Sequence, residues 1–526
     1  MTADAAARSA GATVQDEVLR IVAARTLYDP AQLSLDSDLE GELGIDSIIL
    51  ESILGMLGEY FALDDLLPMG MTTIRELVAA VEAAVGERPE PPEAQAQAAD
   101  DEWDSRSMKD FLEIRDSDLF AKARAFGAYR RRREQDRLYW YGMPMRSRSA
   151  NRMRIYDEAE GRERDFLMFA SNNYLGLAGH PKVVDAICDA TRTYGATHTG
   201  SRIIGGTNEL HKELERRLAA FKKRPACAVF PGGYSANLGV ISGLVRADDA
   251  LIIDKLNHMS IVDGCKLSGG VRKIFQHNDM ADLERVLKHC EGRTLGKLIV
   301  VDGVFSMHGD ICNLPDIVAL ARTYGARVLV DDAHATGVLG ATGTGTAEHF
   351  GLKGQVDLEL GTMSKTLAGM GGFVVGDEEV IEYLRFYANS YVFAANIPPG
   401  VAAGLIASLE VMESEPERLT RLWENIRTLR DLLTGAGFDL EHTESAILPI
   451  VVGDDRKAME MGRAVRRRGL FCQTVVFPGV SLGDARLRVS VTSEHTPEDL
   501  QEAAGIFIEA GRETGVIPAP DAAVPA

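Results

Sequence analysis

Five short apolar runs limit what this chain can fold into: ACAVF at 226–230, ALIIDK at 250–255, KLIVVDG at 297–303, RVLVDDA at 327–333 and GGFVVG at 371–376. Each has the length of a strand, and segments with helical apolar spacing separate them. Strands alternating with helices predict an α/β fold around a mainly parallel sheet. Right-handed crossovers then bring the strand ends and their loops to one edge, where open α/β sheets bind ligands. After about Pro398 a long helical stretch leads to a smaller α+β part containing ILPIVVG and ARLRVSVTS.

The loops carry the chemistry. The run VLVDDAHATGVLG (328–340) ends abruptly in Asp331, Asp332 and His334. An acid at the end of a buried parallel strand can pair with the ring nitrogen of pyridoxal phosphate and keep it protonated. The plainer reading of Asp331 is an N-cap for the next helix. Farther on, LELGTMSKTLAGMGG (358–372) sets Lys365 between small hydroxyl residues, with glycines that let a ligand approach the backbone. That setting suits the lysine that bonds this cofactor covalently, although it also fits a surface lysine in a glycine-rich loop. The order of the two motifs favours the cofactor. GGY at 232–234 follows ACAVF and opens a helical segment, so its backbone N–H groups can form a phosphate site.

NNYLGL (172–177), GSRIIGGTNELHKELE (200–215), GGYSAN (232–237), DKLNHMSIVDG (254–264), VFSMHGD (304–310), DDAHATG (331–337) and GTMSKT (361–366) together resemble the α-oxoamine synthase family. These are fold-type-I pyridoxal-phosphate enzymes that include aminooxononanoate synthase, glycine acetyltransferase, aminolevulinate synthase and serine palmitoyltransferase. The resemblance runs from about Phe166 to beyond Arg488. It implies that Lys365, Asp331, His258 and His334 are catalytic: Lys365 bonds the cofactor and moves protons, Asp331 faces the ring nitrogen, and His258 stacks on the ring. It also implies that Ser306 and His334 hydrogen-bond the phenolic oxygen and that the backbone of Gly233 and Tyr234, with Thr362, holds the phosphate. Arg488 takes the place of the arginine that grips an amino-acid carboxylate, with Arg486 a competing candidate. Without the family, His258 reads as an ordinary buried histidine and Arg488 as a strand-end cation. Two departures stand out: His308 where the family commonly has aspartate, and Ala394 and Ala395 where it usually has serine or threonine. The second lies in a loop that commonly helps bind the neighbouring subunit's phosphate.

Residues 14–85 have a different character. VQDEVLRIVAARTL, SIILESILGMLGEYF and TTIRELVAAVEAAV all have helical spacing, with turns containing Pro30 and Pro68 between them, and predict a small α-helical bundle. Between residues 36 and 67 acids recur and neither lysine nor arginine occurs, a one-signed face suited to a basic partner. Asp46 and Ser47 open the second helix, where Ser47 could simply satisfy a free backbone N–H. With the acidic helix, however, LGIDSI (43–48) resembles acyl or peptidyl carrier domains, which implies that Ser47 carries 4′-phosphopantetheine. Residues 86–104, rich in Pro, Ala and acid, read as a mobile tether.

The expected division is a carrier domain at 14–85, a linker at 86–104, a connector at 105–165, a cofactor-binding large domain at 166–398, a small domain at 399–515 and a tail at 516–526. The connector holds a basic cluster, Arg130 to Arg133 and Arg137, which reads as a solvated face; docking of the acidic carrier helix on Arg131 to Arg133 is the second reading. A formal net charge of −21 argues against nucleic-acid binding. The opening residues lack a basic and then apolar leader, and nothing approaches the ~20 apolar residues of a membrane span, so a cytoplasmic protein is expected. Cys188, Cys227, Cys265, Cys290, Cys312 and Cys472 show no metal-ligand spacing, and no metal site is expected.

Taken together, the resemblance implies a homodimeric acyltransferase. It would condense a small amino acid (glycine, alanine or serine) with an acyl thioester in a decarboxylative Claisen-type reaction, giving an α-aminoketone for natural-product or specialised lipid biosynthesis. The fused carrier implies a thioester held on Ser47, with a phosphopantetheinyl transferase and an acyl-loading enzyme as partners. The alternatives are a fold-type-I aminotransferase, and a carrier and docking scaffold with an inactive pyridoxal domain.

Overall fold

The computed structural model describes residues 13–26, 33–39, 43, 45, 50, 53–54, 56–57, 61, 71–86, 104 and 106–518. They fall in two compact units, Met1–Arg106 with Arg272–His289, and Ser107–Val271 with Cys290–Ala526.

In the first unit the helices Val14–Thr26 and Ile74–Gly86 appear where the apolar spacing predicts them. The first is capped by Thr13, whose Oγ accepts from the Asp16 N–H at 3.2 Å while the Asp16 carboxylate accepts from the Thr13 N–H at 2.9 Å. Val18, Ile21, Val22, Ile74, Leu77 and Val81 bury their apolar stripes in one core with Leu39, Ile53 and Leu57. Asp46 and Ser47 lie outside the described residues, as does most of the expected second helix.

The larger unit is built on a mixed, mainly parallel sheet. Six of its strands are β1 (Ala226–Phe230), β2 (Ala250–Asp254), β3 (Lys297–Asp302), β4 (Arg327–Asp331), β5 (Leu358–Thr362) and β6 (Gly372–Gly376). They lie in the order β1-β6-β5-β4-β3-β2. β2 to β5 are parallel, and β6 runs antiparallel to both β5 and β1. The strands are almost wholly buried, as a sheet covered on both faces requires, which explains their continuous rather than alternating apolar runs. In this register Asp302 and Asp331 are direct neighbours at the carboxyl ends of β3 and β4.

The smaller α+β part pairs Ile447–Gly453 and Gln473–Val475 with Ala485–Ser490. In the connector the basic run forms the helix Ala121–Gln135, in which Arg133 is buried and lies over the Tyr129 ring at 4.7 Å. A β-hairpin that the sequence reading did not anticipate follows at Arg152–Asp157 and Arg162–Met168, and Leu470–Phe471 pairs parallel to its second strand.

One buried ionic cluster supports the ligand edge of the sheet from behind. Lys222 Nζ donates to Asp332 Oδ2 at 2.7 Å and lies 3.7 Å from Glu359 Oε2, and all three side chains are fully buried. Lys353 Nζ donates to Glu359 at 2.7 Å, and Asp332 Oδ1 accepts from the Thr346 hydroxyl at 2.7 Å. Replacing Lys222 by Met leaves buried carboxylates short of their cation. The expected cost is about 3–5 kcal/mol, read as an earlier urea-unfolding midpoint of the larger unit. An unchanged midpoint would show that the cluster is not needed.

Candidate active site

At the carboxyl edge of β3, β4 and β5 the larger unit encloses a cavity of about 340 Å³. Gly233, Tyr234, His258, Ser306, Asp331, His334, Thr362 and Lys365 line it. The strand-to-loop transitions place them: β4 ends on Asp331, β5 ends on Thr362 three residues before Lys365, and β1 leads into the helix Gly233–Leu244. Ser47 lies outside the described residues. Arg488 does not line the cavity, but its Nε donates to the Ser306 carbonyl at 2.7 Å.

At one end the cavity is built for an anion. Gly232 is extended backbone and the helix begins at Gly233, so N–H groups of its first turn, which lack intrahelical partners, belong to residues that line the cavity. A Cβ at Gly233 would lie 2.9 Å from Thr362 Cβ, so only glycine brings the helix start this close to the end of β5. The Thr362 and Ser364 hydroxyls, 2.8 Å apart, stand beside it.

At the other end are two aspartates. Asp331 accepts from Asn237 Nδ2 at 2.7 Å and from the Ala333 N–H at 2.9 Å; the latter closes a turn, because residues 333–338 form turns and no helix starts here as the N-cap reading expected. The carboxylate that closes this turn is also the one that lines the cavity, whereas Asp332 points away to Lys222. Asp302 is fully buried and accepts from the His258 N–H at 3.0 Å. Burial, reinforced by the charge of Asp331, pushes its carboxyl well above the usual range.

Between the two ends stand His258, His334 and Lys365. His258 Nδ1 accepts from the Ser260 N–H at 3.2 Å, which caps the helix Met259–Ser268 and fixes the ring. Burial lowers its pKa, the charge of Asp331 opposing. Lys365 Nζ is 2.8 Å from His334 Nε2, and His334 Nδ1 is 2.8 Å from the Tyr174 hydroxyl. Burial brings the Lys365 amine from its ordinary 10.5 to about 8, against the attraction of Asp331. A lysine so tuned supplies a neutral nucleophilic amine and a proton carrier near neutral pH.

The two arginines separate clearly. Arg486 is fully buried and already engaged by Glu441 at 2.8 Å and by Asp484. Among the described residues Arg488 donates to neutral acceptors, including Ser306 O, Asn172 Oδ1 at 3.2 Å and Ser490 Oγ at 2.8 Å. Its charge is therefore open to a carboxylate. His308 lies 3.8 Å from Asp484 in the Arg486 cluster, not among the residues lining the cavity. Ala395 bridges to Ser201, and Asn396 donates to the carbonyls of Gly200 and Gly206, so the two loops are locked together.

The sequence reading assigned no role to Asp302, Asn237, Tyr174 or Asn172. Asp302 ends KLIVVD as Asp331 ends VLVD, and that parallel was the available signal. The others sit inside the quoted motifs GGYSAN and NNYLGL.

This donor set fits pyridoxal phosphate: a helix start and two hydroxyls for the phosphate, an imidazole for the ring, a carboxylate for the ring nitrogen and an amine for the aldehyde. Asn237 Oδ1, buried and unpartnered, lies on the Asp331 side of the same cavity.

Comparison with known proteins agrees. Residues 164–507 match the aminotransferase class I and II family, and residues 16–81 match the phosphopantetheine attachment site family. The chain is 52% identical to 4-hydroxy-2,2'-bipyrrole-5-methanol synthase PigH of Serratia sp., over 95% of this chain and 81% of that protein. It is 47% identical to 8-amino-7-oxononanoate synthase of Symbiobacterium thermophilum, over 67% of this chain and 90% of that protein. Among solved structures, Sphingomonas wittichii serine palmitoyltransferase has a TM-score of 0.73 at 34% identity, covering 76% of this chain and 100% of that one. Serine palmitoyltransferase from S. paucimobilis with bound PLP–myriocin matches with the same TM-score at 35% identity and the same coverage.

Lys365 should react with an amine-directed aldehyde reagent in the cofactor-free protein with a pH midpoint near 8, rising as the amine loses its proton. Peptide mapping of the labelled lysines would read this; a midpoint at the ordinary 10.5 would show that burial does not tune it.

Proposed function

Since the chain belongs to the α-oxoamine synthase family, joined to a phosphopantetheine-attachment domain, we propose that it condenses a small amino acid with an acyl thioester carried on its own Ser47 arm. The products are an α-aminoketone, carbon dioxide and the free carrier thiol. The observation that carries this reading is one cavity uniting Lys365, Asp331 and a glycine-opened helix start, in a chain whose two parts are both matched within a single relative.

Pyridoxal phosphate, when bound, supplies an aldehyde that bonds an amine and a ring that takes up electron density from the amino acid's Cα. The chain's residues do the rest. Gly233, Tyr234 and Thr362 hold the phosphate at the helix start. With the cofactor bound, His258 would cover the ring face, Ser306 and His334 would meet the phenolic oxygen, and Asp331 would keep the ring nitrogen protonated. Arg488 binds the amino-acid carboxylate, and Lys365 takes the Cα proton so that Cα can attack the thioester carbonyl and expel the thiol. Loss of the carboxylate as carbon dioxide follows.

A tether of the length expected for residues 86–104 presents the acyl group at about millimolar effective concentration without free acyl-CoA. The relative that spans both parts bears the name of a bipyrrole-methanol synthase, which favours natural-product biosynthesis as the setting here. We place the protein in the cytoplasm as a homodimer, loaded by a phosphopantetheinyl transferase and an acyl-loading enzyme. In keeping with this, no helix among the described residues is long and apolar enough to cross a membrane. The named relatives are synthases, which favours condensation over transamination.

Intact-protein mass spectrometry tests the reading. The acyl-loaded chain should lose its acyl mass with one of glycine, alanine or serine and release the matching aminoketone, and Ser47→Ala should be inert. Equal turnover of free acyl-CoA by Ser47→Ala, with the acyl group retained on the carrier, would overturn the self-loading reading. Arg488→Ala should raise the amino-acid KM about 30- to 100-fold, the loss of one charge-assisted contact. An unchanged KM would move the carboxylate site elsewhere.

A further inference from the structure

We propose that Tyr174 is a positioning residue that holds His334 as the tautomer protonated on Nδ1, with a bare Nε2 aimed at Lys365. The assignment follows from which groups can only donate. A guanidinium has no acceptor, so the Asn172 atom 3.2 Å from Arg488 Nη1 is the amide oxygen. The Ser490 hydroxyl reaches the same oxygen at 3.4 Å. The Tyr174 hydroxyl lies 3.1 Å from that oxygen and must donate its one proton there. Its 2.8 Å contact with His334 Nδ1 is then made by a proton on Nδ1. Nε2 is left with its lone pair, 2.8 Å from the amine of Lys365.

The surroundings enforce this choice. Tyr174 is fully buried and His334 nearly so, so little water can substitute for either partner. Burial, with Lys365 and Arg488 nearby, keeps His334 well below the usual imidazole range, so the ring has one proton to place. Burial likewise raises the Tyr174 phenol, which stays protonated. With the opposite tautomer, the lone pair of Nδ1 and Asn172 Oδ1 would compete for one phenolic proton.

The relay Arg488–Asn172–Tyr174–His334–Lys365 thus runs in one direction, from the arginine assigned to the substrate carboxylate to the lysine assigned to the Cα proton. Its catalytic meaning rests on the function proposed above; the tautomer does not.

The test is side-chain 15N NMR of the full-length, cofactor-free protein labelled at histidine, with His334→Gln to assign the signal among the eleven histidines. The wild type should show Nδ1 protonated and Nε2 with a lone pair. Tyr174→Phe removes the Nδ1–H acceptor and should shift protonation toward Nε2. Asn172→Leu frees the phenolic proton to point at Nδ1 and should produce the same shift. A wild-type signal protonated on Nε2 would overturn the proposal, as would a folded Tyr174→Phe that keeps Nδ1 protonated. If Tyr174→Phe fails to fold, the wild-type and Asn172→Leu spectra decide. None of these readings requires turnover, so an inactive synthase with the expected spectrum refutes only the function.

Discussion

Two carboxylates on adjacent strand ends repel one another in a buried site, and the rest of this site answers that constraint. The parallel register of β3 and β4 puts Asp302 beside Asp331. Burial beside Asp331 pushes the Asp302 carboxyl well above the usual range, and its Oδ2 accepts from the His258 N–H. Asp331 is left to two donors, Asn237 and the turn N–H, and its charge faces Lys365 and His258 across the cavity. His258, Asp331 and Lys365 are therefore one electrostatic system rather than three separate sites.

The same economy of charge sorts the arginines and lysines of the larger unit. Arg486, Lys222 and Lys353 are committed to carboxylates of the protein itself and hold strands and loops in place. The hydrogen bonds of Arg488 among the described residues go to oxygens without formal charge. A buried cation left with neutral partners is costly, and it is tolerated where a ligand completes it. Proximity in sequence could not separate Arg486 from Arg488, because residues two apart on one strand share a face and their partners come from distant segments.

Much of this was legible in the sequence. The apolar runs marked the central strands because a sheet covered on both faces needs continuous burial, and eight residues singled out by the motifs line one cavity. The hairpin at Arg152–Asp157 and Arg162–Met168 was not legible: its charged, alternating residues look like the basic run before it, and its partner strand at Leu470–Phe471 is far along the chain. Asp302 escaped notice because its importance comes from lateral register, which no single strand reveals. Tyr174 and Asn172 lay in a recognised motif, yet their roles depend on the direction of hydrogen bonds.

The close approach of Gly233 to Thr362 also bears on how the molecule assembles. β1 joins the sheet only through β6, which follows Thr362 in the chain, so the glycine turn reaches its hydroxyl partner after the late strands are in place. The phosphate end of the cavity is thus a product of long-range closure, with no counterpart in a partly folded chain. A ligand that needs both sides of that contact binds the finished fold alone, so it stabilises the native state by mass action without trapping earlier ones.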